Sequence, residues 1–286
     1  MKLFCFGPGF SARALIRLLP DADVVATGRD ADARARLEAD GIRAVEFDGT
    51  APLPDGALDG VTHVLASIPP GDEGDPVARC CGEQLRACKS LEWVGYLSTT
   101  GVYGDRQGGW VDETADLRPA GQRGERRVQA ERDWLLLFGG ADRPAVTIFR
   151  LAGIYGPGRS QFNALREGTS RRLVKPGQVF SRIHVDDIGA VLKASIEQPR
   201  PGGVYNVCDD EPAPPQDVVT HAAELLGIEP PPEVAFEDAD LSPMARSFYG
   251  ESKRCRNDLI KRELGVRLAY PDYRAGLKAV LAAESG

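Results

Sequence analysis

Three small residues near the start of the chain have the spacing of a phosphate-binding turn. Gly7, Gly9 and Ala12 stand in a G-x-G-x-x-A pattern. A strand pattern over Lys2 to Phe6 precedes them, and a helix pattern over residues 10 to 19 follows. The first glycine permits a tight turn, the second lets the backbone approach a pyrophosphate, and the small third residue lets the helix lie close to the strand. The pattern therefore predicts a dinucleotide-binding turn.

The start of the predicted helix supplies the groups that would hold the phosphates. The backbone N–H groups at the first turn of a helix have no partner inside the helix, and the helix dipole favours negative charge there. We therefore expect Phe10 and Ser11 to contact the phosphates. A glycine turn without a ligand remains the alternative, because a glycine triplet alone is weak evidence.

The end of the second predicted strand bears on which dinucleotide is bound. An acidic residue there accepts the ribose 2'-hydroxyl, whereas a nearby arginine pairs with a 2'-phosphate. The second strand is predicted over Asp23 to Thr27. No acidic residue ends this strand, and Arg29 follows it. The sequence therefore predicts NADP(H) in preference to NAD(H). A solvated loop charge is the alternative for Arg29.

Three further residues follow the ends of later predicted strands. Asp48 comes after the third strand and could reach the adenine. Ser67 and Pro69 form the turn after the fourth strand and could line the ribose. The assignments rest on topology, because ligands of parallel sheets bind beyond the carboxyl ends of the strands.

Strands and helices must alternate to bring these turns to one edge of a sheet. Such alternation predicts a Rossmann-like, doubly wound parallel sheet of the α/β class, because parallel strands need crossover helices. The predicted strands are residues 2–6, 23–27, 42–47, 62–67, 93–98 and 145–150. The predicted helices are residues 10–19, 30–40, 76–90 and 123–138.

The pattern changes after about residue 151 to short strands and helices with glycine and proline turns, including residues 179–185, 203–208 and 255–264. We predict a dinucleotide-binding domain over residues 1–155. A smaller C-terminal α+β substrate lobe is expected over residues 156–286, forming one compact unit with the first domain.

Composition excludes several classes of protein. The 286 residues are 42% hydrophobic and 27% charged, as expected of a globular chain. A net charge of −7 argues against nucleic acid as the main partner. Six cysteines without a C-x-x-C pair, and three dispersed histidines, predict reduced thiols and no metal site. Without a signal-peptide pattern or an apolar run long enough to span a membrane, we expect a cytoplasmic protein.

Later motifs resemble a known family in order. They are YLSTTGVYGD at 96–105, LAGIYGPGR at 151–159, RIHVDDIGAVL at 182–192, GVYNV at 203–207 and ESKRCRNDLIKRELG at 251–265. Together with the glycine turn they resemble the extended short-chain dehydrogenases/reductases, specifically the nucleotide-sugar epimerase and dehydratase group. The resemblance implies NAD(P) binding, a substrate cleft between two lobes, and a homodimer.

The chain departs from this family at the residues that carry its chemistry. The resemblance implies a Ser/Thr after the fifth strand and a Tyr-x-x-x-Lys pair on the next helix. Thr99 matches the first position, but Arg123 stands at the tyrosine and Arg127 at the lysine. A guanidinium stays protonated in proteins, so Arg123 cannot replace the proton-transferring phenol. Arg127 could still hold the ribose hydroxyls of the cofactor.

A literal Tyr-x-x-x-Lys occurs at Tyr249 to Lys253, in a different context. The resemblance places Ser252 and Lys253 in the substrate-side region of the C-terminal lobe. We therefore expect Lys253 to face the substrate or solvent rather than form the catalytic pair.

Two other tyrosines are candidates for the missing acid. Tyr103 in the V-Y-G turn and Tyr155 in the I-Y-G-P-G turn would lie at the carboxyl edge of the sheet. Either could instead be a packing residue with a polar tip.

Further residues are candidates for substrate binding. Arg150 is expected to converge with Arg123 and Arg127 near the nicotinamide, where guanidinium groups would bind an anionic phosphate or carboxylate. An ordinary solvated helix face is the alternative for the arginines of residues 123–132. His184 lies in a family motif and could contact substrate or be a structural histidine.

Two functional hypotheses follow. The first is an NADP(H)-dependent oxidoreductase or epimerase/dehydratase-like enzyme that acts on a nucleotide-sugar or similar anionic small molecule. The second is a non-catalytic NAD(P)-binding regulator that resembles the nitrogen-metabolite-repression type and reads the redox state of the cofactor.

Overall fold

The computed structural model describes residues 1–139 and 144–285, and it divides the chain into two compact units. Unit 1 consists of residues 1–99, 121–150 and 188–205. Unit 2 consists of residues 100–120, 151–187 and 206–286. The chain leaves unit 1 after residue 150 and enters unit 2 at residue 151, whereas the sequence predicted a domain boundary at residue 155. The sequence pattern did not indicate that residues 100–120 belong to unit 2 or that 188–205 return to unit 1.

The structure describes the following strands in chain order: β1 (Lys2–Phe6), β2 (Asp23–Gly28), β3 (Arg43–Glu46), β4 (His63–Ala66), β5 (Trp93–Thr99), β6 (Trp110–Val111), β7 (Ala145–Leu151), β8 (Gly153–Tyr155), β9 (Arg172–Val174), β10 (Arg182–His184), β11 (Gly203–Val207), β12 (Glu233–Ala235) and β13 (Arg254–Cys255).

The α-helices of the described residues are α1 (Phe10–Arg17), α2 (Ala31–Ala39), α3 (Pro76–Ala87), α4 (Gln122–Leu137), α5 (Gln161–Arg166), α6 (Val185–Glu197), α7 (Pro215–Leu226), α8 (Pro243–Phe248), α9 (Asp258–Leu264) and α10 (Tyr273–Ser285). Two short 3₁₀ turns cover Thr100–Tyr103 and Phe236–Asp238.

A seven-stranded sheet confirms the predicted α/β, Rossmann-like fold. Its order is β11-β7-β5-β4-β1-β2-β3. Strand β1 pairs in parallel with both β2 and β4, so that Leu3 lies opposite Val24 on one side and His63 on the other. All six strands predicted for this sheet are present. The pattern had assigned β11 to the C-terminal lobe, whereas it forms an edge of the main sheet beside β7.

The middle of this sheet is apolar because its strands are covered on both faces. Residues Leu3 to Phe6 of β1 are fully buried. Burial raises the pKa of the Cys5 thiol to about 12, so this cysteine is an inert packing residue. Helix α4 contributes Ala130 and Trp134 to the same core, and Trp134 stacks on Tyr96 of β5.

Unit 2 has a separate core between helices. It is formed by Tyr155, Phe162, residues of α7 such as Ala222, and residues of α10 such as Leu277 and Val280. Three two-stranded pairings, β8 with β10, β9 with β12, and β6 with β13, connect the segments of this unit. All three pairs are parallel.

No helix of the described residues combines the length and apolar character required to cross a membrane. The six cysteines are free thiols.

Candidate functional site

The glycine turn after β1 is held from both neighbouring strands. Gly7 has a left-handed φ of 74°, and its N–H donates to Thr27 Oγ1 of β2 at 3.0 Å. The Ser67 hydroxyl, directly after β4, lies within hydrogen-bonding distance of the carbonyl oxygens of Phe6 and Gly7, which share its single proton. An added Cβ at Gly7 would lie 2.8 Å from Ile68 Cγ1, so both conformation and packing require glycine here.

Gly9 has no such structural reason to be a glycine. Its φ of −79° suits any residue, and the nearest atom to an added Cβ is the Gly7 carbonyl oxygen at 3.9 Å. Gly9 is also the residue before α1, and no described side chain caps that helix. A side chain at this position would occupy the space beside the first N–H groups of α1. The glycine turn therefore fits a pyrophosphate, which needs that space and those donors.

Close packing fixes the direction of α1. Ala12 and Ala14 are buried on its inner face. An added Cβ at Gly189 of α6 would lie 3.0 Å from the backbone carbonyl carbon and oxygen of Ala14. Small residues on both helices allow this approach, which sets where the helix start lies relative to the strand ends.

The predicted phosphate and ribose residues differ in accessibility. Phe10 is half-buried, Ser11 is 7% exposed, and Pro69 is exposed. Ser67 uses its hydroxyl to hold the glycine turn. Thr27 was not identified from the sequence, although a polar residue at the end of a buried strand was the available signal.

The end of β2 carries the predicted selectivity residue. The Arg29 side chain is 84% exposed and lies 3.3 Å from the carboxylate of Asp30. Asp30 also caps α2 by accepting the Ala33 N–H at 2.7 Å, a bond that lowers the pKa of Asp30. After β3, Asp48 accepts both the N–H and the hydroxyl of Thr50, so its exposed carboxylate is part of a local turn.

The residues at the family's catalytic positions lie at the end of β5 and on α4. Thr99 is half-buried at the last position of β5. Arg123 is exposed in the first turn of α4. Arg127 points inward, where Nη1 donates to the Tyr96 hydroxyl at 3.0 Å and to the Leu97 carbonyl oxygen at 2.7 Å. The structure therefore uses Arg127 to tie α4 to β5.

Arg150 does not form part of a solvent-facing group of arginines. Its guanidinium makes a two-pronged contact with Glu131, with Nη2 to Oε2 at 2.7 Å and Nε to Oε1 at 3.1 Å. The two side chains are 6% and 4% exposed. Ser98 donates a third hydrogen bond to the same carboxylate at 2.5 Å. The expected convergence with Arg123 is thus corrected, because Arg150 neutralises the buried carboxylate of Glu131 on α4.

The two candidate replacement acids are interior residues of unit 2. Tyr103 is fully buried, and its hydroxyl donates to Asn206 Oδ1 at 2.7 Å. Tyr155 is 8% exposed, and its hydroxyl lies 3.4 Å from the Asp272 carbonyl oxygen. Burial raises the pKa of Tyr155, an effect that neighbouring carboxylates including Asp209 increase. Both phenols therefore match the packing alternative, since both side chains are buried and each hydroxyl has a hydrogen-bond partner in the same unit.

His184 is enclosed by aromatic rings. It is 1% exposed, its ring centroid lies 4.0 Å from that of Tyr270, and Tyr155 meets it edge-on at 5.3 Å. Nδ1 accepts the Asp186 N–H at 3.2 Å. Burial lowers the pKa of His184, while Asp186 opposes that change. This arrangement fits the structural alternative for His184.

Lys253 is held within unit 2. Nζ lies 2.5 Å from Glu251 Oε2 and donates to the Gly104 carbonyl oxygen at 3.0 Å. Its side chain is only 11% exposed. Tyr249 instead stacks on Phe236, with ring centroids 5.1 Å apart. The ammonium is therefore committed to a carboxylate and a carbonyl, and the structure does not show a Tyr249–Lys253 pair.

Asp209 is a buried acid that the sequence did not single out. It is 1% exposed, and Oδ2 has no hydrogen-bond partner among the described residues. Burial raises the pKa of Asp209 to about 8, despite the opposing attraction of Arg182. The nearby carboxylates Asp210 and Asp272 raise it further. The folded state therefore favours the protonated acid.

This proton should make stability depend on pH. Between about pH 4 and pH 8 the unfolded chain has lost the Asp209 proton while the folded chain retains it, so stability falls as pH rises. We expect Asp209→Asn to be more stable than the wild type at pH 8, with the difference shrinking toward pH 4. Urea unfolding at several pH values measures this. A variant less stable than the wild type at pH 8 would show an ionised Asp209 paired with Arg182.

Comparison with known protein sequences gives relatives that match part of the chain. No protein-family model matches the chain. Protein YeeZ of Escherichia coli K12 is 32% identical over 179 residues, which are 62% of this chain and 58% of that protein. The 3-diazoavenalumate denitrifying reductase of a Streptomyces species is 30% identical over 141 residues, which are 46% of this chain and 45% of that enzyme. The matches thus span about half the length of the curated relatives.

Solved structures match over the whole chain. A conserved protein of Silicibacter pomeroyi, described as functionally unknown, is 52% identical with a TM-score of 0.92, covering 99% of this chain and 98% of that one. The dTDP-glucose 4,6-dehydratase of Bacillus anthracis, solved with NAD, has a TM-score of 0.80 at 16% identity, with 100% and 96% covered. The UDP-glucuronic acid 4-epimerase of Bacillus cereus, solved with UDP-glucuronic acid and NAD, has a TM-score of 0.78 at 18% identity, with 99% and 98% covered. These two similarities concern the fold.

Proposed function

Because the chain belongs to one family with the Silicibacter pomeroyi protein and has the fold of the extended short-chain dehydrogenases/reductases, we propose that it is an NADP(H)-dependent oxidoreductase. The observation that carries this proposal is the space beside Gly9, at the uncapped start of α1. The glycine turn is held in place by hydrogen bonds with Thr27 and Ser67, so the protein itself fixes the loop that would bind the phosphates. Such preorganisation lowers the cost of binding.

The choice of NADP(H) over NAD(H) rests on the end of β2. No acid ends that strand, and the exposed guanidinium of Arg29 follows it. An arginine at this point can pair with a 2'-phosphate, whereas NAD has only a hydroxyl there.

The substrate class follows from the charge at the start of α4. Arg123 is an exposed guanidinium in the first turn, and no described side chain caps this helix. Both features favour an anionic group, so a carboxylate or phosphate on the substrate is expected. A guanidinium can stabilise developing negative charge but cannot supply a proton. In a reduction, hydride from NADPH would build negative charge on the substrate carbonyl oxygen, which Arg123 could stabilise while water supplies the proton. The partial similarity to a named reductase agrees with a reduction.

A redox-reading regulator is the second candidate. Arg123 and Arg127 stand where the family carries its tyrosine and lysine, and Arg127 is tied to Tyr96 and Leu97. A protein that only binds the cofactor needs no proton-transferring phenol. It would need to distinguish NADP+ from NADPH, which an enzyme that releases both need not do.

Calorimetric titration with NADP+, NADPH, NAD+ and NADH tests the proposal. We expect the phosphorylated pair to bind more tightly than the unphosphorylated pair by about tenfold or more. Arg29→Ala should remove most of this difference, because the variant lacks the cation at the 2'-position.

Arg118→Ala provides a matched control. Arg118 also pairs with a nearby aspartate, Asp116, but it belongs to unit 2. It should bind all four dinucleotides like the wild type. A large difference between NADP+ and NADPH would favour the regulator, and a wild type that binds none of the four would refute the cofactor site.

A further inference from the structure

A second arginine lies beside the end of β2. An added Cβ at Gly28 would lie 2.8 Å from Arg34 Cγ and 2.9 Å from Arg34 N. Gly28 must therefore be a glycine for α2 to place Arg34 against the strand. The Arg34 side chain is only 27% exposed, compared with 84% for Arg29. It is thus the more firmly positioned of the two cations near this strand end.

An acid occupies the neighbouring strand end. Glu46 is the last residue of β3 and the register partner of Gly28. Its Oε2 lies 2.7 Å from Arg34 Nη1. Nη1 is buried and makes no hydrogen bond of good geometry within the described chain, so the contact is an ion pair rather than an aligned hydrogen bond. The carboxylate and the guanidinium therefore stand together at the edge where the adenosine ribose of a dinucleotide binds.

The two charges would act in opposite directions on the ribose. A carboxylate accepts a hydrogen bond from the 2'-hydroxyl of NAD but repels the 2'-phosphate of NADP. A guanidinium attracts that phosphate and offers nothing comparable to the hydroxyl. Paired, they largely cancel, so removal of either one unmasks the other.

On the premise of the proposed dinucleotide function, we propose that the Arg34–Glu46 pair is a specificity element for the 2'-substituent of the cofactor. Arg34 neutralises Glu46, so that the acid at the end of β3 neither selects NAD nor repels the 2'-phosphate. Selectivity thus depends on Arg29 and on the suppression of the Glu46 carboxylate by Arg34, rather than on Arg29 alone.

Two substitutions with opposite expected effects test this inference. Arg34→Met removes the charge and keeps an aliphatic stem to pack on Gly28, and it should weaken NADP+ binding by about tenfold while NAD+ binding stays equal or tightens. Glu46→Gln should shift the ratio the other way, with NADP+ favoured several-fold more than in the wild type. Both are measured by calorimetric titration of the intact protein with NADP+ and NAD+.

Controls separate this inference from a structural effect and from the premise. Arg274→Ala removes another surface arginine–glutamate pair, Arg274 with Glu211 in unit 2, and should change neither affinity. Urea unfolding of Arg34→Met identifies any loss of fold. An unchanged NADP+/NAD+ ratio in folded Arg34→Met and in Glu46→Gln would overturn the specificity element alone. If the wild-type protein binds neither NADP+ nor NAD+, the proposed dinucleotide function is wrong, and this inference is wrong with it.

Discussion

Replacing Gly9 with aspartate is expected to abolish dinucleotide binding and to leave the fold intact. An added side chain has room, because the nearest atom to its Cβ is 3.9 Å away. Aspartate is a preferred residue before a helix, and its charge is favourable at the helix start. Asp30 already plays this part at α2 by accepting the Ala33 N–H. The same carboxylate would occupy the N–H groups of α1 and repel a pyrophosphate.

We expect Gly9→Asp to lose at least about 100-fold in affinity for NADP+. Its free energy of unfolding should equal or exceed that of the wild type. Calorimetric titration and urea unfolding measure the two quantities. Binding of NADP+ with wild-type affinity would show that the space beside Gly9 is not the phosphate site.

Gly7→Ala is the matched comparison, two residues away. Gly7 has a φ of 74°, and an added Cβ would lie 2.8 Å from Ile68 Cγ1. The left-handed conformation alone costs about 1–2 kcal/mol for a residue with a Cβ, and the contact with Ile68 adds to it. Gly7→Ala should therefore lose stability, whereas Gly9→Asp should lose only binding. Comparing the two variants distinguishes Gly7, which the backbone conformation requires, from Gly9, which we propose is required for ligand binding.

Arg150→Met is expected to be strongly destabilising rather than simply defective in substrate binding. Removal of the guanidinium leaves Glu131 buried at 4% exposure without its cation. Breaking a buried ion pair in this way costs about 3–5 kcal/mol. Such a loss would be a large part of the stability of a typical domain, about 5–15 kcal/mol. Urea unfolding measures it directly.

The double variant Arg150→Met/Glu131→Leu provides the control. Replacing both members of a buried pair by apolar residues is often close to neutral, because no charge remains without a partner. We therefore expect the double variant to recover most of the stability that Arg150→Met loses. If Arg150→Met unfolds like the wild type, the buried ion pair contributes little to stability, and the prediction is wrong.

The buried pair also explains how the end of β5 is positioned. Ser98 donates to Glu131, and Arg127 donates to the Leu97 carbonyl oxygen, so α4 holds the two residues before Thr99. Arg127 and Glu131 of α4 therefore attach this helix to the sheet. Their positions in the sequence had suggested cofactor binding for Arg127 and a solvent-exposed helix face for the charged residues around it.

Local patterns in the sequence were sufficient to predict the fold and the glycine turn between β1 and α1. The apolar run of β1, the glycines at 7 and 9 and the helix after them are adjacent in the chain, so their roles depend on backbone geometry over a few residues. Alternating strand and helix patterns likewise predicted the parallel sheet. The loss of the family's tyrosine was also evident, because a guanidinium at position 123 cannot transfer a proton in any environment.

The tertiary structure decided what the individual polar side chains do. Arg150 meets Glu131 across 19 residues, and Tyr103 meets Asn206 across 103. Because both partners are buried, Arg150 forms an ion pair instead of binding substrate, and Tyr103 is a hydrogen-bonded core residue instead of an acid.

The packing of α2 on Gly28 and the register of β3 bring Arg34 and Glu46 together at the end of β2. The sequence determined which chemical groups exist and the local backbone that presents them. Contacts between distant segments of the chain decide which of these groups become neighbours and which are buried away from solvent. Only the tertiary structure shows those contacts.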